Sequence, residues 1–164
     1  MKLELNVNSK LFAFFNCYWY SNNMPSANIQ FSIAVHMMAR LGFTAGEAST
    51  STQIAHSVNA SPSFVRRILA KLSKAGLVHA TAGKNGCCQL ARPATAISLQ
   101  DIYKAVGPLK LFAIHDYPLE KICPVSCHIR PSMEKVSAKT QRLIESALSD
   151  ISLQEIIADI KKNK

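Results

Sequence analysis

The chain has 164 residues, 48% of them hydrophobic, and its 19 lysine and arginine residues outnumber its 10 aspartate and glutamate residues. The length suits one domain, or a small domain with an oligomerisation element, and the hydrophobic content excludes wholesale disorder. The formal net charge of +9 favours an anionic partner, such as nucleic acid or a membrane surface.

The positive charge is concentrated in one part of the chain. Between Glu47 and Asp101 the sequence has no acidic residue. The cations in this interval are Arg66, Arg67, Lys71, Lys74, Lys84 and Arg92. Because both signs are mixed after Asp101, we expect the anionic partner to bind the part between these two carboxylates.

The cysteine count and the amino-terminal segment indicate the compartment. The count of five is odd and no convincing secretion signal precedes it, which argues against a disulfide scaffold. The apolar run Leu11–Tyr20 is shorter than the roughly 20 residues that cross a bilayer. It lacks a small-residue cleavage site, and Glu4 interrupts a basic leader. We therefore expect a cytoplasmic protein with no membrane partner.

Residues 1–23 differ from the rest of the chain and allow two interpretations. They form an extension that packs on a partner subunit, or Met24 is the natural start and they belong to an over-long reading frame. We favour the second interpretation because the recognisable domain begins just after Met24.

Three helices are predicted within residues 29–74. Ile29–Leu41 has few polar positions, so it is predicted as a mostly buried helix, and Gly42 is expected to end it. Ser51–Val58 is predicted as a short second helix, and residues 59–60 form the turn into a longer helix over Ser61–Lys74. A short helix, a tight turn and a longer cationic helix are typical of a helix-turn-helix.

The Ser61–Lys74 helix has an apolar face and a cationic face. Ser61 is expected to cap it and Gly76 to stop it. The inner face is predicted from the helical spacing of Val65, Ile68, Leu69 and Leu72. The outer side carries Ser63, Arg67, Ala70 and Lys74, with Arg66 and Lys71 on the flanks. This narrow cationic ridge suits a DNA major groove, and we expect Lys71 and Lys74 among the DNA contacts, although a solvated surface helix has the same pattern.

Two short runs after this helix predict a β-hairpin. Residues 77–81 and 87–91 flank a glycine-bounded basic turn at 83–86. Directly after a recognition helix, such a hairpin is the wing of a winged helix, and Lys84 at its tip can reach a phosphate or the minor groove. The alternative is a hairpin that only closes the core, and the cation at the tip disfavours it.

The remaining sequence predicts helices around a cysteine-containing loop. Ser98 and Asp101 form a variant of the capping box for a helix that ends at Val106. Residues 109–114 are apolar and are interpreted as a strand, and residues 115–130 as a loop that holds Cys123 and Cys127.

A long helix is predicted over Ser132–Leu148, followed by a last helix that Ser152 and Glu155 cap. The apolar stripe of the long helix needs a cover, and a second subunit is the simplest one. The buried side of the last helix is predicted to consist of Ile156, Ile157 and Ile160.

Several of these segments together resemble one known family. They are Phe31–Ala34, Ser61–Leu69, Leu72–Val78, the Gly83–Gly86 turn, Leu90–Pro93 and Ile97–Tyr103. The pattern resembles the Rrf2 family of bacterial winged-helix regulators, which includes regulators of iron–sulfur assembly, nitric-oxide response and cysteine metabolism, and it covers about residues 27–160. The resemblance implies a homodimeric DNA-binding repressor or activator whose long helix crosses onto its partner. It also implies DNA contacts from Ser61, Ser63, Phe64, Arg66 and Arg67, and from Lys84 in the wing.

Two departures from the family pattern affect the wing and the sensor. In the family, the sequence of the wing usually reads Gly-Gly-aromatic after the turn, whereas this chain has Gly86-Cys87-Cys88. Because neighbouring side chains on a strand point to opposite faces, we expect one of these cysteines in the core and the other exposed. Cluster-binding members have three cysteines before the long helix, whereas this chain has Cys123 and Cys127, with His115 and His128 as weak additional ligands. Because iron–sulfur clusters generally take four ligands, we expect no cofactor; a cluster-sensing regulator is the alternative.

The two late cysteines allow two hypotheses about the signal. Oxidation of Cys123 and Cys127 could pin their loop and change the angle between the recognition helices. Alternatively, Cys123 is a small buried hydrophobe and a small-molecule effector binds near the loop. We favour the second hypothesis slightly.

The sequence as a whole predicts a mainly α fold with a small β-hairpin. The expected regions are an extension over 1–23, a winged helix-turn-helix DNA-binding domain over 24–96, and a sensor loop with dimerisation helices over 97–164. The predicted function is a homodimeric repressor that binds double-stranded DNA. An enzyme is not expected, because a thiol oxidoreductase would have a Cys-x-x-Cys motif. A winged-helix module that binds protein would lack the paired cationic helix and wing.

Overall fold

The computed structural model describes residues 27–44, 47–81, 86–108, 112, 114 and 123–163. The helices are α1 (Ala27–Phe43), α2 (Ser51–Ser57), α3 (Pro62–Lys74), α4 (Leu99–Val106), α5 (Pro124–Ser149) and α6 (Leu153–Lys162). The strands β1 (Val78–Ala80) and β2 (Cys88–Leu90) form an antiparallel pair, and a 3-10 turn covers Ala94–Ala96. The predictions for residues 1–23, for the wing tip with Lys84 and for most of the 109–114 strand lie outside the described residues.

The α1 helix continues through Gly42 and ends at Phe43, so the prediction that Gly42 ends it was wrong. The role of this glycine is set by a neighbouring helix. A Cβ atom at Gly42 would lie 2.5 Å from Cδ1 of the buried Ile157 in α6. Gly42 therefore allows α6 to approach α1 closely, and nothing in the local sequence reports that contact.

Local capping sets the ends of the predicted helix-turn-helix. Thr50 and Gln53 form a capping box at α2, a pattern that is visible in the sequence. Asn59 adopts a positive φ of 49° in the turn between α2 and α3. The Ser61 side chain caps α3 by accepting a hydrogen bond from the Phe64 backbone N–H, as predicted.

The α3 helix ends in a left-handed glycine, which confirms the expected stop. Gly76 has a φ of 68°, and its N–H donates to the Ser73 carbonyl at 3.0 Å. The Leu77 N–H donates to the Leu72 carbonyl at 3.0 Å. This pair of bonds is a Schellman motif, which satisfies carbonyls at the end of the helix and turns the chain into β1.

The hairpin is joined by a third short segment, which the sequence did not predict. Val78 pairs with Leu90 and Ala80 with Cys88 across β1 and β2. Ser49, just before α2, pairs with Cys88 through backbone bonds of 2.8 and 3.1 Å in the two directions. The hairpin is therefore fixed to the entrance of the helix-turn-helix, which gives the winged-helix arrangement.

The vicinal cysteines differ in burial, as their opposite directions on the strand predicted. Cys88 is buried in the core, and burial together with the neighbouring Cys87 raises the pKa of its thiol. Cys87 is half-buried, and its sulfur lies 3.5 Å from the Thr81 hydroxyl oxygen.

One hydrophobic core joins α1–α4, the hairpin and α6, and it continues across the expected boundary at residues 96–97. The Leu153 N–H donates to the Ile97 carbonyl at 2.8 Å, and the Leu99 N–H donates to the Ile151 carbonyl at 2.9 Å. These bonds hold the first turn of α6 against α4. The buried residues of α6 are consequently Leu153 and Ile157, whereas Ile160, predicted to be buried, is 46% exposed.

The long helix begins at Pro124, before its predicted start at Ser132. Pro124 occupies the first turn, where a missing N–H costs nothing, and Cys123 is the N-cap. Pro131 lies inside α5, although a proline usually disfavours helical backbone at the residue before it. The predicted loop over 115–130 is therefore wrong from Pro124 onwards, and Cys127 and His128 belong to the helix.

Candidate nucleic-acid interface

Helix α3 presents a two-sided surface, as its periodicity predicted. Val65, Ile68, Leu69 and Leu72 are buried against the core. The exposed residues on the other side are Ser61, Ser63, Arg66, Arg67, Ala70 and Lys74. Phe64 is half-buried and packs against the core at the start of the helix. The apolar side fixes the helix on the domain and leaves a continuous polar and cationic ridge outside.

The amino-terminal turn of α3 organises an arginine and two hydroxyl groups. The guanidinium carbon of Arg67 lies 5.0 Å from the centre of the Phe64 ring. A cation–π contact of this kind orients the planar guanidinium and reduces the freedom that it loses on binding. The hydroxyl oxygens of Ser61 and Ser63 are 3.2 Å apart. This end of the helix therefore combines a held arginine with small hydrogen-bonding groups, which suits the edges of bases in a major groove.

Lys71, which the sequence placed among the DNA contacts, is directed elsewhere. Its side chain is half-buried, and its Nζ donates to the Val106 carbonyl at 2.7 Å and to Gln30 Oε1 at 2.9 Å. Two of the three donors of the ammonium group are therefore engaged inside the domain. The ammonium group of Lys71 is therefore held by α1 and α4.

The electrostatics of this surface follow from the absence of carboxylates in the sequence from residue 48 to residue 100. Arg66, Arg67 and Lys74 have no acidic neighbour on α2, α3 or the described part of the hairpin. Arg92, at the end of the hairpin, instead lies 3.4 Å from Asp101 in α4. Arg66, Arg67 and Lys74 therefore give α3 an exposed positive surface, which attracts a polyanion.

The predicted sensor cysteines lie at the start of α5. Cys123 is exposed, and hydrogen bonds from the Ser126 side chain and from the Ser126 and Val125 backbone lower the pKa of its thiol. Cys127 is half-buried one turn later, and its N–H donates to the Cys123 carbonyl at 3.3 Å. The two cysteines are thus held close by the first turn of the helix. His128 follows and is exposed.

Comparison with known proteins identifies the family of this fold. The model of the Rrf2 family, described as an iron-dependent transcriptional regulator, matches residues 27–159. The chain belongs to the Rrf2 family. It is a winged-helix transcriptional regulator that binds DNA, and the resemblance seen in the sequence is confirmed.

Individual Rrf2-type proteins match over most of the chain. YwnA of Bacillus subtilis strain 168, a candidate HTH-type transcriptional regulator, is 34% identical over 131 residues, which cover 79% of this chain and 96% of YwnA. A candidate transcriptional regulator from Lactobacillus plantarum has a similar structure, with a TM-score of 0.71, 24% identity and coverage of 81% of this chain and 90% of that one. IscR of T. potens gives a TM-score of 0.59 at 23% identity and covers 88% of this chain and 93% of its own. At these identities the two structures support the fold alone.

The description of the Rrf2 family as iron-dependent makes the metal donors of this chain relevant. Iron–sulfur clusters generally take four ligands, most of them thiolates. In the described ranges, no three His, Cys, Asp or Glu side chains are grouped so that they could hold a metal ion. Cys123, Cys127 and His128 are neighbours on one helix and do not form such a group. The described donors therefore do not fit a cluster.

Across the same ranges, no helix combines the length and the apolar character that a membrane span needs.

Proposed function

We propose that this Rrf2-family protein is a cytoplasmic homodimeric repressor that inserts one α3 helix per subunit into successive major grooves of its operator. The observation that carries the proposal is the exposed cationic ridge of α3 opposite a fully buried apolar face. The proposed DNA contacts are Ser61, Ser63, Phe64, Arg66, Arg67 and Lys74, together with Lys84 in the wing. As a repressor, the dimer would occupy promoter DNA and exclude the polymerase.

The surface of α5 supports the dimer. Val125, Val136 and Leu143 are 67%, 49% and 62% exposed, and α5 has no buried residue along its whole length. Val136 and Leu143 are seven residues apart, so they lie on one stripe of the helix. A second copy of the stripe would remove both from water, and pairing through a helix gives the fixed spacing that two recognition helices need.

Selection of duplexes from a random-sequence pool by the full-length protein tests this proposal. We expect a bipartite site whose halves are about 34 Å apart, or a multiple of that distance, with two chains bound per duplex. The logarithm of the affinity should fall linearly with the logarithm of the salt concentration, because cationic side chains displace counterions from phosphates. Recovery of single, unpaired half-sites would contradict the homodimer, and absence of enrichment would contradict sequence-specific binding.

We further propose that the thiols of Cys123 and Cys127, rather than an iron–sulfur cluster, provide the regulatory chemistry. The Cys123 thiolate would attack one oxygen of hydrogen peroxide, and the O–O bond would break. Hydroxide would depart as the leaving group, and Cys123 would become a sulfenic acid. The Cys127 sulfur would then displace the sulfenic hydroxyl, which leaves with the Cys127 proton as water as the disulfide forms. Residues four apart on a helix have Cα atoms about 6 Å apart, which a disulfide can span.

The exposed position and lowered pKa of Cys123 predict its order of reaction with iodoacetamide. Hydrogen bonds from Ser126 and the Val125 backbone favour the thiolate of Cys123, whereas burial raises the pKa of Cys88. The thiolate is the reacting form, so Cys123 should be alkylated at lower pH and faster than Cys88. Mass spectrometry of peptides across a pH series measures both rates. Equal alkylation of the two residues at each pH would contradict the assignment.

The Cys123→Ser, Cys127→Ser double variant tests the regulatory role directly. We expect peroxide to lower the DNA affinity of the wild type and to leave the double variant unchanged, as measured on a duplex selected by the wild type. A Cys87→Ser variant, altered at a half-buried thiol in the hairpin, is the matched control and should respond as the wild type does. If wild type and double variant respond alike, the thiols are not the sensor and a small-molecule effector becomes the leading hypothesis.

A further inference from the structure

The Lys71 ammonium group joins three helices of the domain. Its bond of 2.7 Å to the Val106 carbonyl ends on the last residue of α4, and its bond of 2.9 Å to Gln30 ends on α1. The last carbonyls of a helix lack partners within the helix, and the C-terminal end of its dipole attracts a cation. Lys71 therefore serves as a side-chain cap for α4 that originates on the recognition helix.

The α4 helix also contacts the proposed dimer helix, through Tyr103. The Gln141 side-chain amide in α5 donates to the Tyr103 hydroxyl oxygen at 3.1 Å. Tyr103 is buried and packs edge-on against Phe31 of α1, with ring centres 5.5 Å apart. Hydrogen bonds thus connect α3 to α4 and α4 to α5. The orientation of the recognition helix relative to α5 depends on both links.

The Lys71 bonds supply a directional restraint that the apolar packing of α3 lacks. Ile68, Leu69 and Leu72 hold the helix against the core, but hydrophobic burial has little directional preference. Charge-assisted hydrogen bonds are short and angularly selective. Hydrophobic burial therefore attaches α3 to the core, and the two bonds from Lys71 define its rotation and position.

We propose that Lys71 is a positioning residue for DNA recognition, which fixes α3 relative to α4 and thereby sets the geometry between the recognition helices of the dimer. Lys71 acts through Val106 and Gln30 and does not touch DNA. This inference rests on the proposed function, because a defined geometry between two recognition helices matters only in a dimer that binds paired half-sites.

The variants Lys71→Met and Lys74→Met form a matched pair for the test. Both remove one ammonium group from the same helix and keep a long apolar side chain, but Lys74 is exposed and Lys71 is half-buried. Each is titrated against a duplex selected by the wild type and against the same duplex with one base pair inserted between the half-sites. Stoichiometric titration gives the active fraction of each protein, so that loss of folded protein is separated from loss of affinity.

We expect Lys71→Met to bind the selected duplex about tenfold more weakly than the wild type, with an unchanged salt dependence and less preference for the native spacing. Lys74→Met should lower the salt slope by the amount expected for loss of about one phosphate contact per subunit. It should keep the spacing preference of the wild type. Unchanged affinity in Lys71→Met, or a salt slope that falls as in Lys74→Met, would overturn the inference. A wild type that tolerates the inserted base pair would contradict the proposed dimer itself.

A measurement on the wild type keeps the inference testable if Lys71→Met does not fold. Lysine acetylation, followed by mass spectrometry, should modify Lys74 rapidly and Lys71 slowly in the free protein. The selected duplex should protect Lys74 and leave the rate at Lys71 unchanged. Rapid acetylation of Lys71 that the duplex suppresses would make it a DNA contact and overturn the positioning role.

Discussion

Replacing Arg67 with alanine is expected to lower the affinity for the selected duplex by about 1–3 kcal/mol and to relax sequence preference at one base position. Arg67 is exposed on the ridge of α3, and its guanidinium lies 5.0 Å from the Phe64 ring centre. A guanidinium held in this way can donate two parallel hydrogen bonds to O6 and N7 of guanine, a geometry that no other base offers. Binding to a panel of duplexes with single substitutions measures both effects.

Arg66→Ala is the matched control for Arg67→Ala. Arg66 is the neighbouring exposed arginine, lies on the flank of the ridge, and is expected to contact phosphate. Its loss should weaken binding to every duplex about equally and reduce the salt slope by about one. If Arg67→Ala gives this same uniform loss, Arg67 is a phosphate contact and the base-reading role is wrong.

Replacing Leu143 with glutamate is expected to dissociate the dimer without unfolding the subunit. Leu143 is 62% exposed in the single chain, so a charge there meets water and leaves the core intact. In the proposed dimer, burial of Leu143 in both subunits would contribute about 2–4 kcal/mol to the free energy of dimerisation. The substitution removes this contribution, and burying the new charge adds a further cost. Sedimentation velocity measures the oligomeric state, and circular dichroism measures the retained fold.

Ala138→Glu provides the control on another side of α5. Ala138 is also exposed, but five positions on a helix place it about 140° away from Leu143. The added charge is the same, so this variant should remain dimeric and bind DNA as the wild type does. A dimer that survives Leu143→Glu would show that the stripe with Val136 and Leu143 is not the interface, and another surface would have to pair the subunits.

The capping sequences show how much of the fold local chemistry determines. Ser61, Ser98 and Ser152 cap three helices as predicted, because each cap needs only a side chain and a backbone N–H three residues away. The buried and exposed sides of α3 follow from helical periodicity in the same way. The hairpin was predictable because its two strands flank a short basic turn.

The start of α5 shows where local rules fail. The sequence predicted a loop as far as Arg130, yet the helix begins at Pro124 and includes Pro131. Proline removes a single N–H from the helix, and the other bonds of a 26-residue helix maintain it. Cys127 was therefore expected in a loop and lies in the first turn of a helix.

The sequence by itself determined the winged helix-turn-helix, its family, and the side of α3 that carries the positive charge, because caps, periodicity and charge are properties of neighbouring residues. Tertiary structure alone decided that Ile157 packs closely against Gly42, that Ser49 pairs with the hairpin, and that Lys71 bonds to the Val106 carbonyl. Lys71 and Val106 are 35 positions apart, and Lys71 and Gln30 are 41 apart. A lysine on a helix flank has the same local pattern whether its ammonium faces phosphate or a carbonyl, and only the packing of distant helices selects between them.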